Sequence, residues 1–229
     1  MGETKTMKPK IFLAVFLGLF MAQTVFSGGF LPEIAPNEQL KLKTEKNELI
    51  IETLVKTQLN GKYVYEITSV STNGIKLLIT LNMNMTPVEV IERDQTGHLL
   101  RHAEYAGLRV HLTVPDKHTD KWIGLPLATY DQQTLFYVLR GFPFAEEQMA
   151  FNLLLYDGRL TRVNVKNTGL ASVAVNGKKW RAYQLELKSV GWTSILYTGR
   201  FFFLDHKPYT FLRYEDSGGK TVENIGYET

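Results

Sequence analysis

Seven turn dipeptides constrain this chain more than any other feature. Asn60-Gly61, Asn73-Gly74, Thr96-Gly97, Ala106-Gly107, Asp157-Gly158, Asn176-Gly177 and Gly218-Gly219 punctuate it from Asn47 onward. Asn-Gly and Asp-Gly favour tight hairpins, because both residues tolerate the positive φ that such turns require. Short runs rich in valine, isoleucine, threonine and aromatics lie between them, with period-two alternation. Ile75, Leu77, Ile79, Leu81 and Met83 share one face, and Leu108, Val110, Leu112 and Val114 share another. The pattern predicts an all-β, mainly antiparallel domain of about ten to twelve strands, a single curved sheet or an open or closed β-barrel.

Two hairpins can be given a register. A two-residue loop at Ala106-Gly107 sets Glu104 against Arg109, Ala103 against Val110, Arg101 against Leu112 and His102 against His111. At Asp157-Gly158 a three-residue loop with Gly158 in a bulge opposes Phe151 to Val163 and Met149 to Val165. That choice keeps the apolar side chains on one face, which a one-residue slip would exchange. One short helix is expected near 131–140, about nine residues long and dependent on packing to persist. Asp131 caps it, Leu135, Phe136, Val138 and Leu139 form its apolar stripe, and Gly141-Phe142-Pro143 ends it.

The first 27 residues read differently. Lys5, Lys8 and Lys10 precede a 12-residue apolar run, Ile11 to Ala22, and then Val25-Phe26-Ser27. The run is too short for the ~20 residues of a membrane-spanning helix, and matches a signal peptide cleaved at Ser27/Gly28. The alternative is an uncleaved anchor. On this reading residues 1–27 are the signal peptide, 28–45 a leader segment and 46–229 one β-rich domain, with no membrane span after cleavage. The sequence has no cysteine, so disulfides, thiolate metal sites and a lipid-modified cysteine are ruled out, and a bacterial envelope is favoured over a eukaryotic secretory route. The location expected is the periplasm of a Gram-negative bacterium. Formal net charge is +3 overall and +1 once the signal region is set aside. No basic run remains to suggest nucleic acid or an anionic membrane surface. With 44% hydrophobic and 21% charged residues, the mix is that of an ordinary globular core.

From Asp131 to the C-terminus the features fall in a suggestive order. A short helix carries Asp131, Thr134, Tyr137 and Arg140, and Phe142-Pro143-Phe144 follows. Tyr156-Asp157-Gly158 and Val173-Ala174-Val175-Asn176-Gly177 come next. Phe201-Phe202-Phe203-Leu204-Asp205 then runs through Pro208 to Leu212-Arg213-Tyr214-Glu215. This stretch resembles a bacterial family of exported proteins, domain of unknown function 3108. The resemblance implies a periplasmic domain on a curved or open β-barrel, and supplies no catalytic residues.

Chemistry-bearing motifs are sparse. There is no Gly-x-Ser-x-Gly elbow and no His-Glu-x-x-His pair. Gly219-Lys220-Thr221 lacks the upstream glycine of a phosphate loop, and Glu146-Glu147 reads as loop surface. His102, His111 and His98 share a polar sheet face without a third evident ligand, so no metal site and no cofactor is expected. Two aromatic faces carry the functional hint: Tyr197, Phe201 and Phe203 with Ile195, and Phe151 and Leu153 with Met149 and Leu155. Phe151, Leu153, Tyr197, Phe201 and Phe203 are candidate lining residues, with Arg140 and Asp205 as candidate head-group holders at the mouth. Three functional classes follow: a non-catalytic binder of an apolar small molecule or lipid, an adaptor working through sheet edges with a protein partner, and an enzyme of unrecognised type. The first is favoured.

Overall fold

The computed structural model describes residues 30, 34–35, 37–190 and 198–227. The signal-peptide segment and Tyr197 lie outside the described residues. Fifteen strands form one sheet, more than the ten to twelve expected. They are β1 (Asn37–Thr44), β2 (Leu49–Leu59), β3 (Lys62–Ser71), β4 (Lys76–Asn82), β5 (Pro87–Arg93), β6 (Leu99–Tyr105), β7 (Arg109–Val114) and β8 (Thr119–Gly124). The second set is β9 (Thr129–Asp131), β10 (Gln148–Leu154), β11 (Leu160–Val175), β12 (Lys178–Ser189), β13 (Thr198–Leu204), β14 (Phe211–Asp216) and β15 (Thr221–Asn224). A 3-10 turn, Gln132–Thr134, and the helix α1, Leu135–Arg140, separate β9 from β10. Among the described residues no helix is long and apolar enough to cross a membrane.

The order across the sheet is β8 to β1, then β15 down to β9. Residues 37–44, read from sequence as part of a leader, are instead a central strand paired with both β2 and β15. Every neighbour is antiparallel except β9 with β10, which are joined through the helix and run parallel. The two edges, β8 and β9, are consecutive in the chain, and the connection across 125–128 can reach under ~20 Å. The sheet must therefore curl almost full circle, although β8 and β9 do not pair and it stays unclosed. Gly158 marks the seam. It has φ +84°, and a Cβ there would lie 2.6 Å from Leu112 Cδ2 and 3.0 Å from Ile123 Cδ1. The β10–β11 turn thus packs directly on β7 and β8, and only glycine fits it.

The inward faces form the core expected from alternation. Leu54, Ile67, Ile79, Leu81, Val90, Ala103, Val110 and Leu112 meet Phe151, Leu153, Val163, Val165, Phe201 and Phe203. The helix lies inside this curl. Leu135, Tyr137, Val138, Leu139 and Arg140 are all buried, and Phe136 stacks on Phe211 at 4.4 Å. Asp131 caps the turn as expected, its Oδ1 accepting from the Gln133 N–H at 3.0 Å.

Of the two registers, the Asp157-Gly158 hairpin has Phe151 opposite Val163 and Met149 opposite Val165, as read from sequence. The Ala106-Gly107 hairpin does not. Its loop is Gly107-Leu108, held by the Ala106–Arg109 backbone pair, so Tyr105 opposes Val110, Ala103 opposes Leu112, and His111 faces Glu104 rather than His102. The shift is two residues, which changes partners but leaves the strand side chains on their expected faces; Leu108, read as part of the β7 stripe, is instead a loop residue and exposed. A further departure lies in β11. A bulge between Asn167 and Leu170, with Gly169 at φ +91°, inserts one extra residue. Val163 and Val165 face inward before it, whereas Val173 and Val175 after it face out and cover Phe202, Leu204 and Leu212 as a second small core. Arg213 Nη1 donates to the Ala174 carbonyl at 3.1 Å across this contact.

Candidate functional site

One inward row of the sheet is polar. Cross-strand pairing places Glu52 opposite Ser69, Ser69 opposite Leu77, Leu77 opposite Glu92, and Glu92 opposite Arg101. Burial of four such groups needs partners, and the segment entering the helix supplies most of them. Arg101, fully buried, donates from Nη2 to Asp131 Oδ2 at 2.7 Å, from Nη1 to Gln133 Oε1 at 3.3 Å and from Nε to the Tyr156 carbonyl at 3.3 Å. The Tyr105 hydroxyl donates to the same Asp131 oxygen. Burial works against the Arg101 charge, yet the Asp131 carboxylate beside it pushes its pKa up on balance. Burial and that same carboxylate raise the Tyr105 phenol well above its usual value. This cluster bridges β6 to β9 across the unpaired seam.

Glu52 and Glu92 have different surroundings. The Tyr137 hydroxyl donates to Glu52 Oε2, and Gln133 Nε2 donates to Glu92 Oε2 at 2.8 Å. Burial raises the pKa of Glu52, partly offset by hydrogen bonds from Tyr137 and Ser69. The Tyr137 phenol is pushed well up by burial and by the neighbouring Glu52. Beside these carboxylates lies a cavity of about 360 Å³. Its wall combines Glu48, Glu52, Glu92, Ser69, Gln132 and Gln133 with the apolar surfaces of Ile50, Leu77, Leu135, Phe136, Phe201 and Tyr214. Ser71, Asn73 and Ile75, at the β3–β4 turn, form its rim at one end of the curled sheet. A second cavity of about 470 Å³ sits at the opposite end, between the β4–β5 and β6–β7 turns and the 125–128 connection. Turn and connection residues such as Thr86, Leu108, Pro126 and Leu127 form much of it, and no charged residue lines it among the described residues.

The candidate lining residues do not converge on one space. Phe201 lines the first cavity. Phe151 instead forms an edge-to-face triad with Phe30 and Tyr130, centroids 5.2–5.7 Å apart. Leu153 is fully buried in the core, and Phe203 packs against Phe144 and Phe211. Arg140 is no head-group holder at a mouth. It is buried, with Nη1 on both oxygens of Glu38 at 2.9 Å and Nη2 on the Pro208 carbonyl. Asp205 pairs with Arg181 at 3.3 Å and His206 at 2.9 Å, away from the cavity wall. His102 and His111 each meet a carboxylate on another strand, Glu89 and Asp120, both at 2.9 Å. Among the described residues no three His, Cys, Asp or Glu side chains stand close enough to share a metal ion.

Sequence reasoning missed Glu52, Glu92, Gln132 and Gln133. Their signal was available: Glu52 falls between Ile50 and Leu54 in strand phase, and Glu92 two residues after Val90, each a charge at an inward position.

No family model matches the sequence, and no curated protein matches it. Among solved structures the chain is similar to a β-barrel-like protein of domain of unknown function DUF1849 from Brucella abortus. That likeness has 10% identity and a TM-score of 0.49, and covers 88% of this chain and all of that one. It is also similar to the hypothetical lipoprotein YmcC from Escherichia coli, at 13% identity and TM-score 0.34 over 83% of this chain and 87% of that one. A protein from Bacteroides fragilis with a YmcC-like fold gives 8% identity and TM-score 0.27, over 86% and 97% respectively. All three superpositions fall below a TM-score of 0.5, and they are likenesses only.

Proposed function

We propose that this is an exported envelope protein that binds an amphiphilic small molecule or lipid, without catalysis, in the cavity between α1 and the β2–β5 face. The observation that carries the reading is that cavity's wall, which sets a few polar groups among aromatic and aliphatic surface. Its volume of about 360 Å³ lies in the range of small-molecule pockets. The wall holds neither histidine nor cysteine among the described residues, and the Ser69 hydroxyl is hydrogen-bonded to Glu52, whose charged form burial disfavours. Export, and location in a Gram-negative periplasm, rest on the lysine-led apolar run and the Val25-Phe26-Ser27 site, together with the resemblance of residues 131–229 to domain of unknown function 3108.

The test is native mass spectrometry of protein taken from the envelope fraction of its own cell, with N-terminal sequencing of the same sample. A co-purified small molecule and a chain starting within a few residues of Gly28 are expected. Protein of bare mass that binds no apolar fluorescent probe would overturn the binding reading, and an intact Met1 or Met7 would overturn cleavage.

One observation favours an adaptor as the second reading. The β8 edge has no sheet partner among the described residues, and Trp122 on it is 54% exposed. Free edges of this kind can pair with another chain.

A further inference from the structure

We infer that the ligand of the α1 cavity carries a cationic head, of alkylammonium type, on an apolar tail. This rests on the binding reading above and narrows it to a ligand class. Three carboxylates line the cavity, Glu48, Glu52 and Glu92, with no lysine, arginine or histidine among the described lining residues. Glu52 is only 8% exposed and Glu92 9% exposed, so their charges are screened far less than surface charges would be. Neither has an ion-pair partner among the described residues: Glu52 meets the Tyr137 phenol and the Ser69 hydroxyl, and Glu92 the Gln133 amide and the Tyr156 phenol, all of them neutral. The arginines nearest in the fold are already committed, Arg101 to Asp131 and Arg140 to Glu38.

An anionic head would have to shed its water beside these carboxylates with no cation to receive it, which is prohibitive in a partly enclosed space. The helix start offers nothing in its place, because Asp131 already accepts from the Gln133 N–H. An ammonium head meets the opposite conditions. The two buried carboxylates supply counter-charge, and the aromatic rings of Phe136, Phe201 and Tyr214 line the same wall, surroundings that suit a cation flanked by aliphatic carbon. Ile50, Leu77 and Leu135, interspersed among these groups in the same wall, contact the tail.

Three probes with one tail and three heads test this: decyltrimethylammonium, decanol and decanoate, each titrated calorimetrically below its micellar concentration into the mature protein. The cation is expected to bind at least tenfold tighter than decanol, and decanoate weakest of all. In Glu52→Gln and Glu92→Gln, both near-isosteric and checked for an intact melting transition, the cation-to-decanol affinity ratio should fall by about tenfold, the scale of losing one partly buried charge contact. If decanol binds as tightly as the cation, or decanoate more tightly, or if neither variant moves the ratio, the head-group inference fails while the pocket stands. If none of the three binds, the binding reading itself fails and this inference with it.

Discussion

Phe151 and Phe201 look alike in sequence, each in an alternating aromatic face, and each is almost fully buried. Their surroundings differ. Phe151 is locked edge-on between Phe30 and Tyr130, whereas Phe201 touches Phe136 and Tyr214 and otherwise fronts a cavity. Burial from solvent is therefore a poor guide to packing. A ring with only 1% of its surface exposed can still form part of a cavity wall. Phe151 thus belongs to a closed aromatic cluster, and Phe201 to the wall of the cavity for which binding is proposed. Residues 130–133 connect the two, with Tyr130 in the triad and Gln132 and Gln133 in the cavity wall.

The largest effect should come from severing that link. Asp131→Ala removes the partner of Arg101 and Tyr105 together with the helix cap. A loss of about 5 kcal/mol is expected, the upper end for breaking a buried pair because the cap goes with it. Chemical denaturation should show both ends loosening together, and a loss under about 1 kcal/mol, as for an exposed pair, would mean that the seam is held by other contacts. Phe151→Ala should cost ~3–5 kcal/mol, since transfer and cavity terms add in a closed core. Phe201→Ala should cost roughly 1–2 kcal/mol, near the burial term alone, and should also weaken binding of an apolar fluorescent probe that Phe151→Ala leaves in place. Equal costs for the two rings would erase the contrast.

The smallest effect concerns pH. Burial raises the Glu52 pKa above its ordinary 4.5, so in the window above that value the native state holds more protons than the unfolded chain. Stability from this group is therefore fully present below about pH 4.5 and is lost as pH rises through the folded value. Glu52→Gln has no proton to release and should flatten that part of the decline. Denaturation midpoints measured from about pH 4 to pH 8 check it. Parallel curves for the two proteins would show that Glu52 sits in water-like surroundings.

Much of the fold was legible because its cause is local. The turn dipeptides, the inward faces of β4 and β7, the Asp131 cap and the Asp157-Gly158 hairpin all depend on residues within one turn of each other. One of the strands missing from the count is β1, which lies inside the stretch read as a leader and has no turn dipeptide before it or between it and β2. The Ala106-Gly107 register slipped by two because an Ala-Gly pair and a Gly-Leu pair are equally short loops, and both keep Ala103 and Leu112 inward. The Gly169 bulge was invisible for a related reason. Val163 to Val175 reads as one odd-numbered stripe, and only the inserted residue sends its second half outside. The site was hardest to see. Arg140 reads from sequence as a head-group holder, and its engagement with Glu38 comes from the helix lying inside the sheet, which no periodicity reports.

Leu42 and Asn224 lie opposite each other in the middle of the sheet, 182 positions apart in the chain. Contacts of that span are the slow ones to form. A chain emerging from its N-terminus can build the β1–β8 meander hairpin by hairpin, yet it keeps the outer backbone edge of β1 bare until residues 221–224 appear. Over that interval it offers other chains the kind of edge that invites mispairing. The order in which this molecule is made thus sets a period of exposure, and a holding partner at that stage would have one strand, β1, to shield.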